Sequence, residues 1–458
     1  MNKLMAEYKL RFLELIKISA PIIIEQFFIT TMGMVITAMV SSTGDYAVAA
    51  VGMIDSVNNL LIAIFTALTT GCTIVTAQHF GREDHTGAAK TGAQSIIMIF
   101  SLSLVVSIVF AILRTQIITA LFKSSDADVT NAGIDFLRII NLSFPLLAVT
   151  QTLFGVMRGC GDTGAPMLIT LGMNFINFIL GYILIIGINI FGIYTTGFGV
   201  TGAAAALVLA RFCGMAAACV YIARMSNVIR LNKPSYFKLD FNVWRVVCRL
   251  GIPASIESAL FQVGKLITQI FIVSLGAAAL AANTVGSSVA ALIYVPGNAF
   301  SIGVMILIGH RVGRRQESDI KKTSIFTIII GAVMMGLICL ICLPLTKTLT
   351  IAYNLSPEAT QIFKDILLSA LIAIPFFWPA SFITPASLRA TGDVNFTMAV
   401  TIISMWTFRI VIGYILGISM RLGVLGFWMG MYVDWLVRSL LFFQRLLSEK
   451  WKKRLEPS

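Results

Sequence analysis

The chain has 458 residues, of which 57% are hydrophobic and only 12% are charged. Soluble domains carry about 25% charged residues, so this composition excludes an ordinary soluble protein and indicates a membrane protein. The net charge of +13 does not require a nucleic-acid partner, because the basic residues cluster between the apolar runs. The seven cysteines fall mostly in apolar segments, where buried thiols are the ordinary expectation.

Apolar runs long enough to cross a bilayer recur along the chain. They do not alternate between polar and apolar residues as barrel strands do, so we predict an all-α polytopic membrane protein with twelve transmembrane helices. The predicted spans are 12–40, 50–78, 93–113, 134–157, 166–188, 200–224, 250–275, 283–310, 324–346, 365–389, 395–418 and 423–447. The first run is too long for a signal peptide, and we expect it to be retained.

The basic residues predict the orientation of these helices. If both termini are cytoplasmic, the inner segments hold 24 of the 34 lysines and arginines, which is the positive-inside pattern. We therefore expect a multi-pass protein of the cell (plasma) membrane with both termini in the cytoplasm. Its expected partners are membrane lipids and a small-molecule substrate, without nucleic acid, and we expect it to act as a monomer.

The two halves of the sequence repeat each other. With a shift of 232 residues, segment 21–82 matches segment 253–314 at 16 of 62 positions, without a gap. Six spans in each half make the halves parallel, so we predict two six-helix lobes related by a pseudo-two-fold axis along the membrane normal. The predicted divisions are an N-lobe at 1–224, a cytoplasmic linker at 225–249, and a C-lobe with a basic cytoplasmic tail at 250–458.

Short motifs that follow the spans carry a resemblance to a known family. They are TGDYAVAAVG (43–52), AQHFGRED (77–84) and RGCGDTGAPM (158–167), with LGAAALAANTVG (275–286), GHRVGRRQ (309–316) and LRATGDV (388–394) in the second half. With these motifs the chain resembles the multidrug and toxic compound extrusion (MATE) transporters. The resemblance implies a secondary active antiporter that exports drugs or organic cations in exchange for protons or sodium, by rocker-switch alternating access. The alternative is an exporter or flippase of an anionic or lipid-linked metabolite from the same superfamily.

The sequence departs from the family pattern at its usual acidic positions. Many bacterial members have an aspartate in span one where this chain has Ile36. Many also have an Asn-x-x-x-Asp pair in span five, where this chain has Asn177 and Gly181. The usual cation site of the N-lobe therefore lacks its carboxylates, which favours protons over sodium as the coupling ion and predicts no metal site.

Two glutamates stand out because each follows a proline by four residues inside an apolar span: Glu25 after Pro21, and Glu257 after Pro253. A carboxylate in hydrocarbon costs about 3 kcal/mol on insertion scales, so it faces a wet cavity, pairs with a cation or holds a proton. We predict that both glutamates couple the ion or bind the substrate, beside helix bends made by the prolines. The alternative is that each glutamate pairs with a nearby cation. On the first hypothesis, Glu25→Gln abolishes coupled efflux and leaves the fold intact.

Other polar residues within the spans have two interpretations each. Lys265 and Arg409 either pair with a carboxylate or bind an anionic group of a substrate, whereas Asp434 and Arg438 are four residues apart and predict a structural pair on one helix face. The buried amides either line the cavity or form helix–helix hydrogen bonds. These amides are Gln26, Asn58, Asn59, Asn174, Asn177 and Gln262.

The repeated loop motifs RGCGD and RATGD predict structure and gating rather than ligand binding. Their glycines permit a tight turn, Arg158 and Arg389 lie at the inner membrane face, and Asp162 and Asp393 are placed to cap the following helix. The chain contains no HExxH, GxSxG or nucleotide-binding P-loop motif and no Cys/His metal cluster. We therefore expect a transporter, not an enzyme, that needs no cofactor.

Overall fold

The computed structural model describes residues 2–41, 45–121, 127–187, 189–190, 193–194, 197–226, 228–353 and 355–455. These residues form thirteen α-helices and one short antiparallel hairpin of strands β1 (Asn189–Ile190) and β2 (Ile193–Tyr194). The helices are α1 (Asn2–Ser41), α2 (Asp45–Gly81), α3 (His85–Leu121), α4 (Ala127–Ile140), α5 (Ser143–Gly159), α6 (Gly164–Ile186), α7 (Gly199–Val220), α8 (Phe241–Val273), α9 (Ala277–Gly313), α10 (Glu317–Ala352), α11 (Pro357–Ala390), α12 (Val394–Ser404) and α13 (Gly423–Leu447).

Each of the twelve predicted spans falls on a helix or on consecutive helical segments. Among the described residues, ten helices are long and apolar enough to cross a membrane, and α4 with α5 forms an eleventh candidate, bent by 48°. The remaining predicted span, 12–40, lies in α1, whose 40 residues extend about 60 Å. The all-helical, polytopic fold is confirmed, and α1 and α8 continue through Pro21 and Pro253.

Two of the spans contain π-helical segments, in which the backbone hydrogen bonds skip one residue more than in an α-helix. Span six ends in the π-helix Tyr221–Met225. The span that begins with α12 continues through the π-helices Met405–Ile412 and Ile415–Ser419. Such segments are rare and often lie at functional sites, and Arg409 lies within one of them.

The chain forms two compact units. The first unit is Ile24–Ser255, and the second unit is Met1–Ile23 with Ile256–Ser458. These bounds differ from the predicted lobes because the amino-terminal half of α1 packs with the second unit. There Arg11 forms an ion pair of 2.9 Å with Asp319, and Arg311 forms one of 3.0 Å with Glu14.

The duplication seen in the sequence is also visible in the burial of equivalent helices. In the apolar stretches of α2 and α9, 67% of the residues are buried, whereas in those of α3 and α10 only 22% are buried. These two pairs of equivalent helices are therefore buried to the same extent in the two halves, with α2 and α9 mostly buried and α3 and α10 mostly exposed.

A glycine allows two helices to approach closely in the first unit. A methyl group added to Gly71 of α2 would lie 2.5 Å from the carbonyl oxygen of Val247 and 2.8 Å from the backbone nitrogen of Gly251, both in α8. Only a residue without a side chain permits this backbone contact. Gly71 thus sets the distance between α2 and the first half of α8.

We predict that Gly71→Ala lowers the free energy of unfolding by about 1–3 kcal/mol, because the two backbones have to separate. Gly172→Ala in α6 is the matched control, since an added methyl group there has no atom within 4 Å. The control is expected to be neutral or slightly stabilising, because alanine has the higher helix propensity. Unfolding midpoints in detergent test the contact, and equal midpoints for the two variants contradict it.

Candidate functional site

A cavity of about 440 Å³ lies entirely within the second unit. Its walls come from α8, α9, α11, α13 and the π-helix Met405–Ile412. The lining residues are Phe261, Lys265, Thr268, Gln269, Ile272, Asn283, Ser287, Ala290, Ala291, Tyr294, Asn298, Trp378, Phe382, Arg409, Phe427, Trp428, Met431 and Trp435. Pockets for small organic ligands commonly have volumes of about 300–1,000 Å³, so this one is large enough for a drug-sized molecule.

Helical spacing explains why these residues share one cavity. In α8 the first lining residue is Phe261, and the others lie four, seven, eight and eleven residues after it. Those of α9 begin with Asn283 and follow the same spacing as far as Tyr294. Residues three and four apart lie on one helix face, so each helix presents a continuous stripe to the cavity.

Stacked aromatic rings form much of the wall. The ring centroids of Tyr294 and Trp378 are 5.5 Å apart, and those of Trp378 and Phe382 are 4.5 Å apart, with near-parallel planes in both pairs. Trp435 meets Phe382 edge-on at 6.3 Å. The ring stack presents a large, rigid apolar surface with few rotatable bonds, which is suited to flat or amphipathic ligands.

Two hydrogen-bonded side-chain amides orient one of the tryptophans in this wall. Trp428 Nε1 donates a hydrogen bond of 2.9 Å to Asn283 Oδ1, and Asn283 Nδ2 donates one of 3.2 Å to Gln269 Oε1. The orientation of the Trp428 indole therefore depends on two amides from different helices.

Lys265 and Arg409 both line the cavity. Lys265 is exposed and Arg409 is half-buried, with its guanidinium carbon 5.5 Å from the centroid of the Phe261 ring. Asp434 and Arg438 lie beside the cavity as a buried ion pair of 3.0 Å, which confirms the predicted structural pair. Asp434 also accepts a hydrogen bond of 2.7 Å from Ser404.

Glu25 lies outside this cavity, in a buried cluster of the first unit. Nη2 of Arg158 donates to both carboxylate oxygens, at 2.6 and 2.8 Å, and Thr170 Oγ1 donates to Oε1 at 3.0 Å. Only 1% of Glu25 is exposed. The carboxylate is thus compensated by a guanidinium and a hydroxyl and has little room for a cation.

Glu257 forms the equivalent pair in the second unit, but less completely. Arg389 Nη2 donates to Oε1 at 2.8 Å, whereas Oε2 is buried and has no hydrogen-bond partner within the described ranges. Glu257 thus keeps one acceptor for a proton or another donor. The two pairs are the arrangement that the sequence left as the alternative, so the geometry favours ion pairing over a free coupling carboxylate, most clearly for Glu25.

Comparison with known proteins identifies the family. The sequence model of the MatE family matches residues 21–183 and again residues 253–415, which are separated by the same 232-residue shift as the internal repeat. The chain belongs to the MATE family of transporters. It is therefore an integral multi-pass membrane protein of a transporter family, as its motifs predicted.

Curated MATE relatives match over nearly their whole length. The transporter YisQ of Bacillus subtilis (strain 168) is 28% identical over 95% of this chain and 94% of its own. The probable multidrug resistance protein NorM of Thermotoga maritima is 26% identical over 96% of this chain and 93% of its own.

Solved structures of MATE transporters share the fold. A MATE protein in complex with MaL6 superposes with a TM-score of 0.84 at 22% identity, over 96% of this chain and 97% of its own. A MOP superfamily transporter from Pyrococcus furiosus Vc1 also has a TM-score of 0.84 at 22% identity, over 97% and 96%. The description of that transporter states that a reverse polarity of its binding pocket suggests a different function.

Two of the family's usual acidic positions meet in the first unit, although neither is acidic here. A methyl group on Gly181 would lie 3.5 Å from Cδ1 of Ile36 and 3.7 Å from Cε of Met39. The place that holds carboxylates in many MATE proteins is therefore lined by apolar side chains in this chain, which matches the departure noted from the sequence.

The predicted cavity residues separate into two groups. Lys265 and Arg409 line the described cavity, whereas the amides Gln26, Asn58, Asn59, Asn174, Asn177 and Gln262 do not. The prediction of amide lining is not supported for this cavity and stays a prediction elsewhere. Asn58 instead accepts a hydrogen bond of 3.1 Å from Arg211, which also donates to Ser143 at 2.6 Å. The Asn58–Arg211 contact joins α2 and α7, and is thus the helix–helix hydrogen bond that the sequence left as the alternative to cavity lining.

The repeated MATE loop motifs behave only partly as predicted. Gly161 and Gly392 have φ angles of 84° and 90°, as the predicted tight turns require. Asp162 accepts a hydrogen bond of 3.2 Å from the backbone N–H of Ala165 and caps α6 as predicted. Asp393 makes no side-chain cap, so that prediction is wrong: its carboxylate accepts from Arg445 at 2.7 and 3.3 Å.

The motif after span two closes a turn around another carboxylate. Asp84 accepts hydrogen bonds of 2.8 Å from the backbone N–H of Gly87 and from the hydroxyl of Thr86, and lies 2.9 Å from His79 Nδ1. The Gly87 N–H makes the largest contribution to lowering the pKa of Asp84, with smaller ones from Thr86 and His79. None of these residues lines the cavity.

The aromatic wall is the part of the site that sequence reasoning missed. Three of the six tryptophans, Trp378, Trp428 and Trp435, line the cavity. Tryptophan in membrane proteins is enriched at the two interfaces, so tryptophans in the middle of predicted spans were the available signal. Periodicity alone does not show that two separate helices, α11 and α13, bring them together.

We predict that the Glu25–Arg158 pair is coupled in stability. Glu25→Gln and Arg158→Gln alone are each expected to cost about 3–5 kcal/mol, because each leaves a buried charge unpaired. The ion pair therefore revises the expectation that Glu25→Gln leaves the fold intact. A double-mutant cycle of unfolding in detergent measures the coupling, with the exposed Glu358→Gln as a near-neutral control. A double variant whose loss equals the sum of the single losses contradicts it.

Proposed function

We propose that this MATE-family chain is a secondary active exporter of small amphipathic organic molecules, driven by protons or sodium through alternating access. The observation that carries the proposal is the aromatic cavity of about 440 Å³ within the second unit. Multidrug relatives such as NorM support an exporter whose substrates share amphipathic character rather than one precise shape. We further propose a monomer in the cell membrane with both termini in the cytoplasm.

Protons are the favoured coupling ion within this proposal. Sodium requires several oxygen ligands, and Ile36 and Gly181 place apolar groups where MATE proteins often carry carboxylates. Glu257 is the better of the two predicted coupling residues, because its Oε2 is buried with no partner among the described residues while both oxygens of Glu25 are engaged. A single carboxylate that gains and loses one proton is sufficient for exchange.

The cavity lining does not support the expectation that the exported substrates are organic cations. The eighteen lining residues include two cations, Lys265 and Arg409, and no aspartate or glutamate. The exporter proposal does not depend on the sign of the substrate charge, because the ring stack binds through its apolar faces.

Proteoliposomes with separately imposed pH and sodium gradients test the proposed function. We expect a pH gradient to drive accumulation of a fluorescent aromatic substrate in the proteoliposomes, and a sodium gradient of the same size to drive little. Transport driven by neither gradient contradicts secondary active export. Scrambling of labelled lipid in the same vesicles without movement of the substrate contradicts it in favour of a flippase.

We predict that Glu257→Gln removes or shifts the pH dependence of this transport by about one pH unit or more, because the amide cannot take up the proton. Glu358→Gln, which makes the same chemical change at an exposed site in the first turn of α11, is expected to leave the profile unchanged. An unaltered pH profile in Glu257→Gln removes this residue from the coupling mechanism.

A further inference from the structure

The cavity of the second unit carries positive charge that the protein itself does not neutralise. Lys265 and Arg409 line it, and across the described stretches of the chain no carboxylate lies within 4.0 Å of either cation. A cation surrounded by low-dielectric protein is costly unless an anion or water compensates it. The arrangement therefore favours a negatively charged occupant.

The acids of this region are already engaged. Asp434 pairs with Arg438 at 3.0 Å and accepts the Ser404 hydroxyl at 2.7 Å. Glu257 pairs with Arg389 at 2.8 Å. Neither carboxylate belongs to the cavity lining, so the local charge balance at the cavity stays positive.

The internal repeat shows that both cations are additions of the second half. Lys265 corresponds to Gly33 under the 232-residue shift. Arg409 and Asn177 each precede the repeated GYIL tetrapeptide by four residues, so Asn177 is its counterpart. Both positions are thus neutral in the first half and cationic in the second, and the fold brings both cations into the same cavity.

The hydrogen-bonding capacity of the lining points the same way. Arg409 Nε and Trp435 Nε1 are buried donors for which the described residues offer no acceptor. Within the described residues, these are the only two lining side chains that have a buried polar atom without a hydrogen-bond partner. Both atoms are donors. Two donors of the lining are thus left without an acceptor, and a carboxylate, sulfonate or phosphate group is a strong acceptor.

We propose that this cavity binds organic anions, namely molecules with an aromatic or flat apolar body and one carboxylate, sulfonate or phosphate group. The body stacks on Trp378, Phe382 and Tyr294, and the anionic group binds between Lys265 and Arg409. The inference rests on the proposed export function only for its physiological use, since binding at the site is measurable without transport.

Calorimetric titration of the purified protein in detergent tests the proposal with three probes that share one ring system. They are 2-naphthalenesulfonate, 2-naphthalenemethanol and 2-naphthylmethylammonium. We expect the sulfonate to bind at least about tenfold more tightly than the alcohol, and the ammonium probe to bind most weakly. A charge-assisted hydrogen bond is stronger than a neutral one by an amount that accounts for such a factor.

Two variants assign the preference to the cavity. Lys265→Met and Arg409→Met are each expected to weaken sulfonate binding about tenfold or more, and to change binding of the alcohol by less than about threefold. Lys265 is exposed, so its variant is expected to fold even if Arg409→Met does not. Lys364→Met is the matched control, because it removes the same charge from an exposed site of α11 outside the cavity.

Several results overturn the proposal. They are preference for the ammonium probe, sulfonate affinity that is unchanged in Lys265→Met, an equal loss in Lys364→Met, or no binding of any probe. Failure of the export function is a separate outcome. In that case the sulfonate binds with the expected preference, and the proteoliposomes show no gradient-driven movement of it.

Discussion

Charge within the apolar core of a membrane protein has to be compensated, and this requirement organises the structure. Both glutamates that follow a proline are paired with the arginine of a repeated loop motif, Glu25 with Arg158 and Glu257 with Arg389. The duplication thus preserved a complete ion pair and not merely an acid. The arginines that seemed to belong only to turns between helices also neutralise a carboxylate on another helix of the same unit.

The two copies of this pair are not equivalent. In the first unit Thr170 completes the shell around Glu25, whereas Glu257 Oε2 stays buried without a partner in the described region. A buried polar atom without a partner is costly in a low-dielectric setting. The second half therefore holds the less completely hydrogen-bonded acid, and it also contains the cavity lined by Lys265 and Arg409. The polar asymmetry between the two copies lies in the second half.

Close packing is visible in each unit separately. Gly71 brings two backbones of the first unit into contact, and in the second unit the stack of Tyr294, Trp378 and Phe382 presents a rigid surface. Arg438 reinforces that surface, since its guanidinium carbon lies 4.7 Å from the centroid of the Phe382 ring. The buried Asp434–Arg438 pair thus has a structural role, holding one wall of the cavity while contributing no net charge to it.

The sequence by itself determined the membrane class, the twelve helical spans, the duplication and the family, because each depends on composition or on local spacing. Hydrophobic length is a property of a continuous segment, and the 232-residue repeat is visible without any folding. Helical periodicity also predicted the Asp434–Arg438 pair, since both residues lie on one helix.

Only the tertiary structure decided which polar groups meet. Glu25 and Arg158 are 133 residues apart, and Asp393 pairs with Arg445 across 52 residues rather than capping its own helix. Which face of each helix turns towards which neighbour depends on packing. The periodic pattern of a single sequence does not specify these neighbours. For the same physical reason, Lys265 and Arg409 were recognisable as cations within apolar spans from the chain alone, whereas the aromatic cavity that they share, with no acid among its described lining residues, was not.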